Sequence, residues 1–539
     1  MNPKNSALEE YKSEFEGFEW QIPESFNFGR DVVDKHAEDP ELPALFWKNE
    51  NGEERFLSYA QVRDQTNQVA NALRRLGIQK GDPIIVMLPK IPEWHLLMIG
   101  GLKAGALVVP SSTILRPKDL LFRAKHSGAV AIAASPSEGE TVEEVRTQLT
   151  GIKHFLGIGD LSGAWTDLLS ALTSEEISSE GQPDTRASDP ALVYYTSGTT
   201  GPPKAVLHSH AYTYTQRYTA KTWLGLERGQ RLWTTSDTGW AKAAYSVLFG
   251  PWSVGAEVFM YGGRFEARKE LEILEQVKPD VFCAPPTEFR MLVKEDLSEY
   301  NFENLRECVS AGEPLNPEVI RTWRDSTGIT IRDGYGQTES ILLIGNYPGI
   351  EVRPGSMGLP MPGHVVEVID ENGQPQPDGE IGDVAVHGRP PSLFLEYWKD
   401  EMASDKCRRG DWYVTGDRAS RDEDGFFWFV GRADDVIISA GYRIGPFEVE
   451  SALIEHPDVV EAAVVAAPNA DRGAIVKAYV VLRAGLDGSP DLTETLKEHC
   501  KSVTAPYKYP REIEYRKELP KTVSGKIRRI ELRAEAEKP

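Results

Sequence analysis

Short apolar runs alternate with stretches of helical spacing along this chain, and that alternation leaves few folds open. "SYAQVRDQTNQVANALRRLGI" sets Val62, Val69, Leu73 and Leu76 at helical spacing and stops at Gly77. "DPIIVMLPK" follows as a buried strand, and "EWHLLMIGGLKAGALVVP" as a helix with a second strand behind it. The texture returns in "ALVYYTSG", "RLWTTSD", "PDVFCAPP" and "RECVSAGEP". Strands too apolar to face water, separated by helices, predict a mostly parallel α/β sheet covered on both faces.

After about Gly355 the pattern changes. "GHVVEVIDENGQPQPDGEIGDVAVHG" alternates valines between "ENG" and "PDGE" turns, as a β-rich subdomain of hairpins does. Beyond "GRADDVIISAGYRIGPFEVESAL", the runs "EVESALIEHPDVVEAAVVAA", "IVKAYVVLRAG" and "TETLKEHCKSV" read as helix, strand, strand, helix. The expected architecture is α/β: a large N-terminal domain, 1–433, of doubly wound α/β subdomains plus the β-rich one, and a small α+β C-terminal domain, 434–539. A chain of 539 residues exceeds what one core usually holds, in keeping with that division.

Composition excludes several roles. With 60 basic and 82 acidic residues the net charge is −22, which argues against nucleic acid or an acidic membrane as a general partner while allowing a local basic pocket. Cys283, Cys308, Cys407 and Cys500 are scattered without a CxxC pair, so neither a zinc site nor a disulfide framework is indicated. The first twenty residues lack an apolar signal region, and no run approaches the roughly 18 apolar residues of a membrane span. A soluble cytoplasmic protein is expected; its oligomeric state is not legible.

"VYYTSGTTGPPKAV" carries the first chemistry. Thr196, Ser197, Thr199 and Thr200 offer hydroxyls, Gly198 and Gly201 let the backbone approach a ligand, and Lys204 adds a positive charge. Such a loop suits an oligophosphate, although it does not match the common GxxxxGK[ST] pattern; a Gly/Ser/Thr surface turn is its plainer reading. His208 and His210 form an HxH without carboxylate or cysteine company, which reads as ordinary loop residues before it reads as metal ligands.

"DGYGQTE" (Asp333–Glu339), "WYVTGD" (Trp412–Asp417), "GRADD" (Gly431–Asp435), "SAGYRIGP" (Ser439–Pro446) and "PKTVSGKIRR" (Pro520–Arg529) follow in order. With the opening loop, the series resembles the adenylate-forming superfamily, and within it most resembles the medium-chain acyl-CoA synthetases. The resemblance covers nearly the whole chain. It implies an ATP-dependent ligase that joins a carboxylic acid to CoA through an acyl-adenylate, using ATP, CoA and Mg2+.

By the same resemblance, Thr196 to Lys204 grip the ATP phosphates and Glu339 is the magnesium ligand; a lone carboxylate suffices because Mg2+ keeps most of its waters. Asp333, Gly334, Tyr335, Gly336, Gln337 and Thr338 lie along adenine and the α-phosphate, and Glu313 supplies backbone contacts to adenine. Asp417, at the end of a predicted strand, accepts the ribose hydroxyls, with Arg432 a second ribose or phosphate contact. Lys526 bridges the acid and the α-phosphate in the adenylation transition state, where charge neutralisation matters more than acid–base chemistry. Arg528 and Arg529 are expected to be surface or domain-packing charges.

The C-terminal domain is expected to rotate about Asp434, exchanging Lys526 for the "SAGYRIGP" segment. Gly441 then clears the pantetheine path, while Tyr442, Arg472, Tyr507, Lys508 and Tyr509 contact CoA, and Arg443 serves ATP phosphate in the adenylation pose. Gly336 stands where acetate-specific relatives close the pocket with tryptophan, so an acid larger than acetate is expected, with Trp240 and Gly263 as further walls. Ala440 departs from the Ser-Gly usual before this segment, a swap expected to alter a minor hydrogen bond. Two other readings remain open: an adenylation protein that loads a carrier domain, and a catalytically silent nucleotide-binding regulator, which the presence of Lys526 and Glu339 disfavours.

Overall fold

The computed structural model describes residues 3–161, 164–173, 175–196, 203–440, 442–469, 472–521 and 526–537. Helices form where the apolar spacing demands them. Tyr59–Arg75 opens on Ser58, whose hydroxyl accepts from the Gln61 N–H while the Gln61 side chain accepts from the Ser58 N–H. The helix ends at Leu76, and Gly77 takes the left-handed turn at φ +85°. Pro92–Lys103 is buried at every position. That full burial reaches Lys103, and Asp34 at 2.6 Å and Asn67 at 2.8 Å receive its ammonium.

Two sheets make up the large N-terminal part. The first has eight strands among the described residues, in the order Glu396–Tyr397, Ala205–Ser209, Pro190–Tyr195, Leu107–Pro110, Pro83–Met87, Ala131–Ala134, His154–Gly157, Thr166–Asp167. It is parallel from Pro190–Tyr195 onward, while Ala205–Ser209 runs antiparallel to its neighbours on both sides. The strands on either side of the Gly/Ser/Thr loop therefore form an antiparallel pair set on a parallel sheet.

The second sheet has a parallel centre of Glu257–Tyr261, Arg231–Thr234, Val281–Ala284, Glu307–Ala311 and Ile331–Gly336. It continues antiparallel through Leu342–Gly345 and Ser356–Pro360 into Phe427–Arg432, Trp412–Arg421, Gly382–His387 and Val366–Ile369. The expected β-rich subdomain is thus joined to the α/β sheet strand by strand. Pairing of Gly345 with Leu359 makes the link, and hairpin patterning carries no signal for such an edge-to-edge connection.

After Arg432 the chain leaves that sheet. The strands Ile437–Ser439 and Tyr442–Ile444 pair with each other. A three-stranded sheet of Val459–Asn469, Gly473–Leu482 and Glu512–Arg516 follows. Val449, Leu453, Val464 and Leu496 fill one side of it, and Ala463, Val465, Leu519 and Leu532 the other. The Arg529 guanidinium reaches both oxygens of the buried Glu450 carboxylate, at 2.7 and 2.9 Å, and ties the last helix, Arg529–Ala536, to Pro446–Glu455. Among the described residues no helix is long and apolar enough to cross a membrane.

Candidate active site

The strands flanking the hydroxyl-rich loop close it at its root. The Thr196 N–H donates to the Lys204 carbonyl at 2.9 Å, and the Lys204 N–H to Thr196 Oγ1 at 3.3 Å. Ser197, Gly198, Thr199, Thr200 and Gly201 lie outside the described residues, as does Gly441. Lys204 is exposed, and its ammonium lies 4.3 Å from the centre of the Tyr397 ring.

Glu339 sits in the turn after Ile331–Gly336, away from any helix start. Its Oε1 accepts from the Tyr397 hydroxyl at 2.6 Å and its carbonyl from the Phe394 N–H at 2.8 Å. Burial pushes its carboxyl up, and Tyr397, Lys204 and Arg432 oppose that. His208 and His210 are buried in the strand Ala205–Ser209 and at the head of the next helix, so neither is a loop residue. His208 Nε2 donates to the Thr338 carbonyl at 2.8 Å, which anchors the turn carrying Glu339. Burial lowers both rings, to about 3 for His208 and about 4 for His210, and keeps them neutral.

A hydrogen-bonded cradle adjoins this turn. Asp417 lies in the middle of Trp412–Arg421, where a strand end had been expected. Its Oδ2 accepts from Tyr335 Oη at 2.6 Å and Gln337 Nε2 at 2.7 Å, and Arg432 Nε faces Oδ1 at 3.2 Å. Gln337 is fixed further by Tyr413 Oη at 2.9 Å and the Thr415 carbonyl at 3.0 Å. Oδ2 thus accepts two hydrogen bonds while Oδ1 faces the Arg432 guanidinium. Burial pushes the Asp417 carboxyl up, and Arg432, the two hydrogen bonds and the Lys526 ammonium counter it.

Asp333 is buried, accepts from the Gly334 N–H at 2.9 Å, and burial raises its carboxyl to about 8. Gly334 is needed for packing, because a β-carbon there would come within 2.8 Å of the Trp223 ring. The Glu313 carboxylate is turned toward Thr287 at 2.9 Å and Arg290 at 3.2 Å.

The acyl-pocket candidates do not converge. A β-carbon on Gly336 would stand 2.5 Å from the Ile341 carbonyl oxygen, so any side chain there displaces backbone before it fills a pocket. Gly263 packs beside the Tyr261 ring past the end of Glu257–Tyr261, four strands from Ile331–Gly336. At ordinary strand spacing that separation is about 19 Å. Trp240 is half-buried and precedes the short helix Ala241–Ala243.

On the C-terminal domain, Lys526 occupies an exposed segment ahead of Arg529–Ala536, close enough to act on Asp417. The Tyr442 and Tyr507 rings are exposed and stack on each other at 4.4 Å. Lys508 pairs with Glu448 at 2.5 Å, Tyr509 accepts from Arg511 at 2.8 Å, and Arg443 is exposed on Tyr442–Ile444. The Ala440 N–H donates to the Arg472 carbonyl at 3.0 Å, and Ala440 holds φ +49°. The Ala-for-Ser swap thus falls on a left-handed, strained position. Arg533 donates to the Asp434 carbonyl and faces Asp435 Oδ1 at 3.1 Å.

Among the described residues no group of three or more His, Cys, Asp or Glu side chains could cage a metal. A single hard oxygen donor, Glu339, beside a lysine-bearing phosphate-type loop fits Mg2+, which takes one or two carboxylates and keeps its waters. Tyr397 and Tyr413 received no role in the sequence reading, and His208 was read only as a loop residue; only the fold reveals what each touches.

The sequence matches the family described as AMP-binding enzyme over residues 33–398, and that described as AMP-binding enzyme C-terminal domain over residues 448–526. It is 43% identical over 537 residues to acyl-coenzyme A synthetase ACSM3, mitochondrial, of Mus musculus, covering 97% of this chain and 93% of the relative. It is 45% identical over 514 residues to the uncharacterized acyl–CoA ligase YtcI of Bacillus subtilis (strain 168), covering 94% and 95%. Among solved structures, the anthranilate CoA ligase AuaEII in complex with anthranoyl-AMP superposes with a TM-score of 0.89 at 31% identity, over 96% of this chain and 98% of that one. A benzoate CoA ligase from Burkholderia xenovorans LB400 gives 0.83 at 29% identity, over 94% and 100%.

Proposed function

The chain belongs to the AMP-binding enzyme family, and on that premise we propose that it is an AMP-forming acyl-CoA synthetase acting on a carboxylic acid larger than acetate. The single observation that carries the reading is the similarity to acyl-CoA synthetases, at 43 and 45% identity over nearly the whole chain. Lys526, whose positive charge opposes the effect of burial on the Asp417 carboxyl, is in this reading the cation that serves the adenylation step.

In the proposed first step the acid's carboxylate attacks the α-phosphorus of ATP and pyrophosphate leaves. Thr196 to Lys204 receive the β- and γ-phosphates, and Asp417 with Arg432 holds the ribose. The Asp333–Thr338 segment, with the Glu313 backbone, lines the adenine and α-phosphate. Lys526 stabilises negative charge as it builds between acid and α-phosphate, in a site where fixed charges act strongly. Glu339 would hold Mg2+, which when bound supplies charge neutralisation on the phosphates.

In the second step the unit 434–539 turns about Asp434 and withdraws Lys526. Gly441, Tyr442, Arg472 and the Tyr507–Tyr509 segment then guide CoA, whose sulfur attacks the acyl carbonyl and expels AMP. The Tyr442–Tyr507 stack must open to admit an adenine, and Lys508 must exchange Glu448 for phosphate. Similarity to an anthranilate and a benzoate ligase supports aromatic acids as candidates beside short- and medium-chain or branched ones. All four cysteines are free thiols, which favours a reducing compartment, and a cytoplasmic setting is proposed.

Pyrophosphate release across a panel of straight, branched and aromatic acids, followed by CoA-dependent AMP release, tests the reading. Adenylate formation with the acyl group passed to a carrier protein's thiol and AMP released, and no transfer to CoA, would replace it with the carrier-loading alternative.

A further inference from the structure

One side chain touches both the carboxylate read as the magnesium ligand and the lysine read as a phosphate contact. Tyr397 donates its hydroxyl to Glu339 Oε1 at 2.6 Å, and the Lys204 ammonium rests 4.3 Å from the centre of its ring. Its backbone binds the same two elements. Tyr397 pairs with Val206 on the strand that leaves the loop, the next residue's N–H reaches the Ala205 carbonyl at 2.7 Å, and the Phe394 N–H reaches the Glu339 carbonyl at 2.8 Å.

Glu339 sits in a turn with a rotatable side chain, and Lys204 carries the opposite charge nearby. Left alone, such a pair collapses into an ion pair that consumes the oxygen a metal needs. Among the described residues Glu339 and Lys204 are not ion-pair partners: the ring face holds the ammonium while the hydroxyl holds the carboxylate.

We propose that Tyr397 is a positioning residue of the adenylation step, keeping Glu339 turned to Mg2+ and Lys204 turned to phosphate; the inference rests on the synthetase reading above. Tyr397→Phe keeps the ring and removes the hydrogen bond, while Tyr397→Leu removes both contacts. Outer contacts to metal ligands typically carry about tenfold or more in metal affinity.

Calorimetry of Mg2+·ATP binding to the full-length protein should therefore show Tyr397→Phe weakened by about tenfold, with ATP binding in the presence of EDTA unchanged. Tyr397→Leu should weaken both. Thioester formation from supplied acyl-adenylate should stay at the wild-type rate in each variant. Equal Mg2+·ATP affinity in wild type and Tyr397→Phe, with matching thermal melts, overturns the proposal. Equal loss for ATP with and without Mg2+ in Tyr397→Phe overturns it too, by marking a structural role. Wild type that binds Mg2+·ATP yet adenylates no acid defeats the synthetase reading, and the binding comparison still decides Tyr397.

Discussion

The nucleotide cradle and the exposed face of the C-terminal domain are built in opposite ways. Around Asp417 every polar group has a partner inside the protein: Tyr335, Gln337 and Arg432 converge on one carboxylate, and Tyr413 and Thr415 fix Gln337 in turn. Around Tyr442 and Tyr507 the side chains are exposed and stack on each other. A surface meant to stabilise a transition state is organised in advance, because reorientation during the step would cost what binding gains. A surface that must leave and return can bind its ligand only through groups that separate easily. On the proposed mechanism, that difference corresponds to rigidity in the large domain and exchange in the small one.

The widest gap between the two regions should appear at Lys526, which lies in the C-terminal domain and whose charge lowers the Asp417 carboxyl. Lys526→Ala should lower adenylation by about a hundredfold or more while sparing thioester formation from supplied acyl-adenylate. Stopped-flow measurement of each half-reaction checks this, and equal losses in both would erase the division of labour.

The cradle's burial should also be visible in stability. Asp333 carries a folded-state pKa of about 8, raised by desolvation above its ordinary value of 3.8. A raised carboxyl favours folding below the unfolded pKa, and that contribution is lost as pH rises through the window up to about 8. Asp333→Asn, which keeps an acceptor for the Gly334 N–H, should be more stable than wild type at pH 8 by on the order of 5 kcal/mol. The two should converge below pH 4, and parallel melting curves across the range would show that Asp333 stays ionised.

Tyr507→Ala tests the opposite region. Losing one stacking platform typically costs about 1 to 3 kcal/mol, so the KM for CoA should rise by roughly tenfold with pyrophosphate release unchanged. A change in ATP affinity would show that this face is coupled to the cradle. The smallest effect is expected at Ala440, held at φ +49°. Ala440→Gly removes a left-handed penalty of about 1 kcal/mol, partly offset by the entropy of glycine, and urea titration of the full chain should find a gain of no more than that.

Gly336→Trp is a poor probe of acyl selectivity in this fold. With the Ile341 carbonyl oxygen 2.5 Å from the β-carbon position, substitution moves the turn that carries Glu339 as well as any pocket. The expectation that Gly336 leaves an acyl pocket deeper rests on resemblance alone; what the structure adds is the close approach of the lead-in to Leu342–Gly345, a neighbour that leaves no mark on the motif. His208 misled in the same way: an HxH pattern carries no information on burial, and its role in holding Thr338 exists only because Ala205–Ser209 passes beside that turn.

By itself the sequence determined what is local or periodic. Apolar spacing specified the helix Tyr59–Arg75 and the buried strand Pro83–Met87, because amphipathic burial depends on neighbours a few residues apart. The ordered motifs specified the family, because each needs particular side chains at short spacing. Tertiary structure alone decided which distant groups meet: Tyr397 with Glu339 across 58 residues, Asp417 with Tyr335 across 82, and the β-rich strands with the α/β sheet through Gly345 and Leu359. Those contacts are set by sheet order and by how the packed layers close, and a hydroxyl or a carboxylate reads the same in the chain whether its partner is water or another side chain.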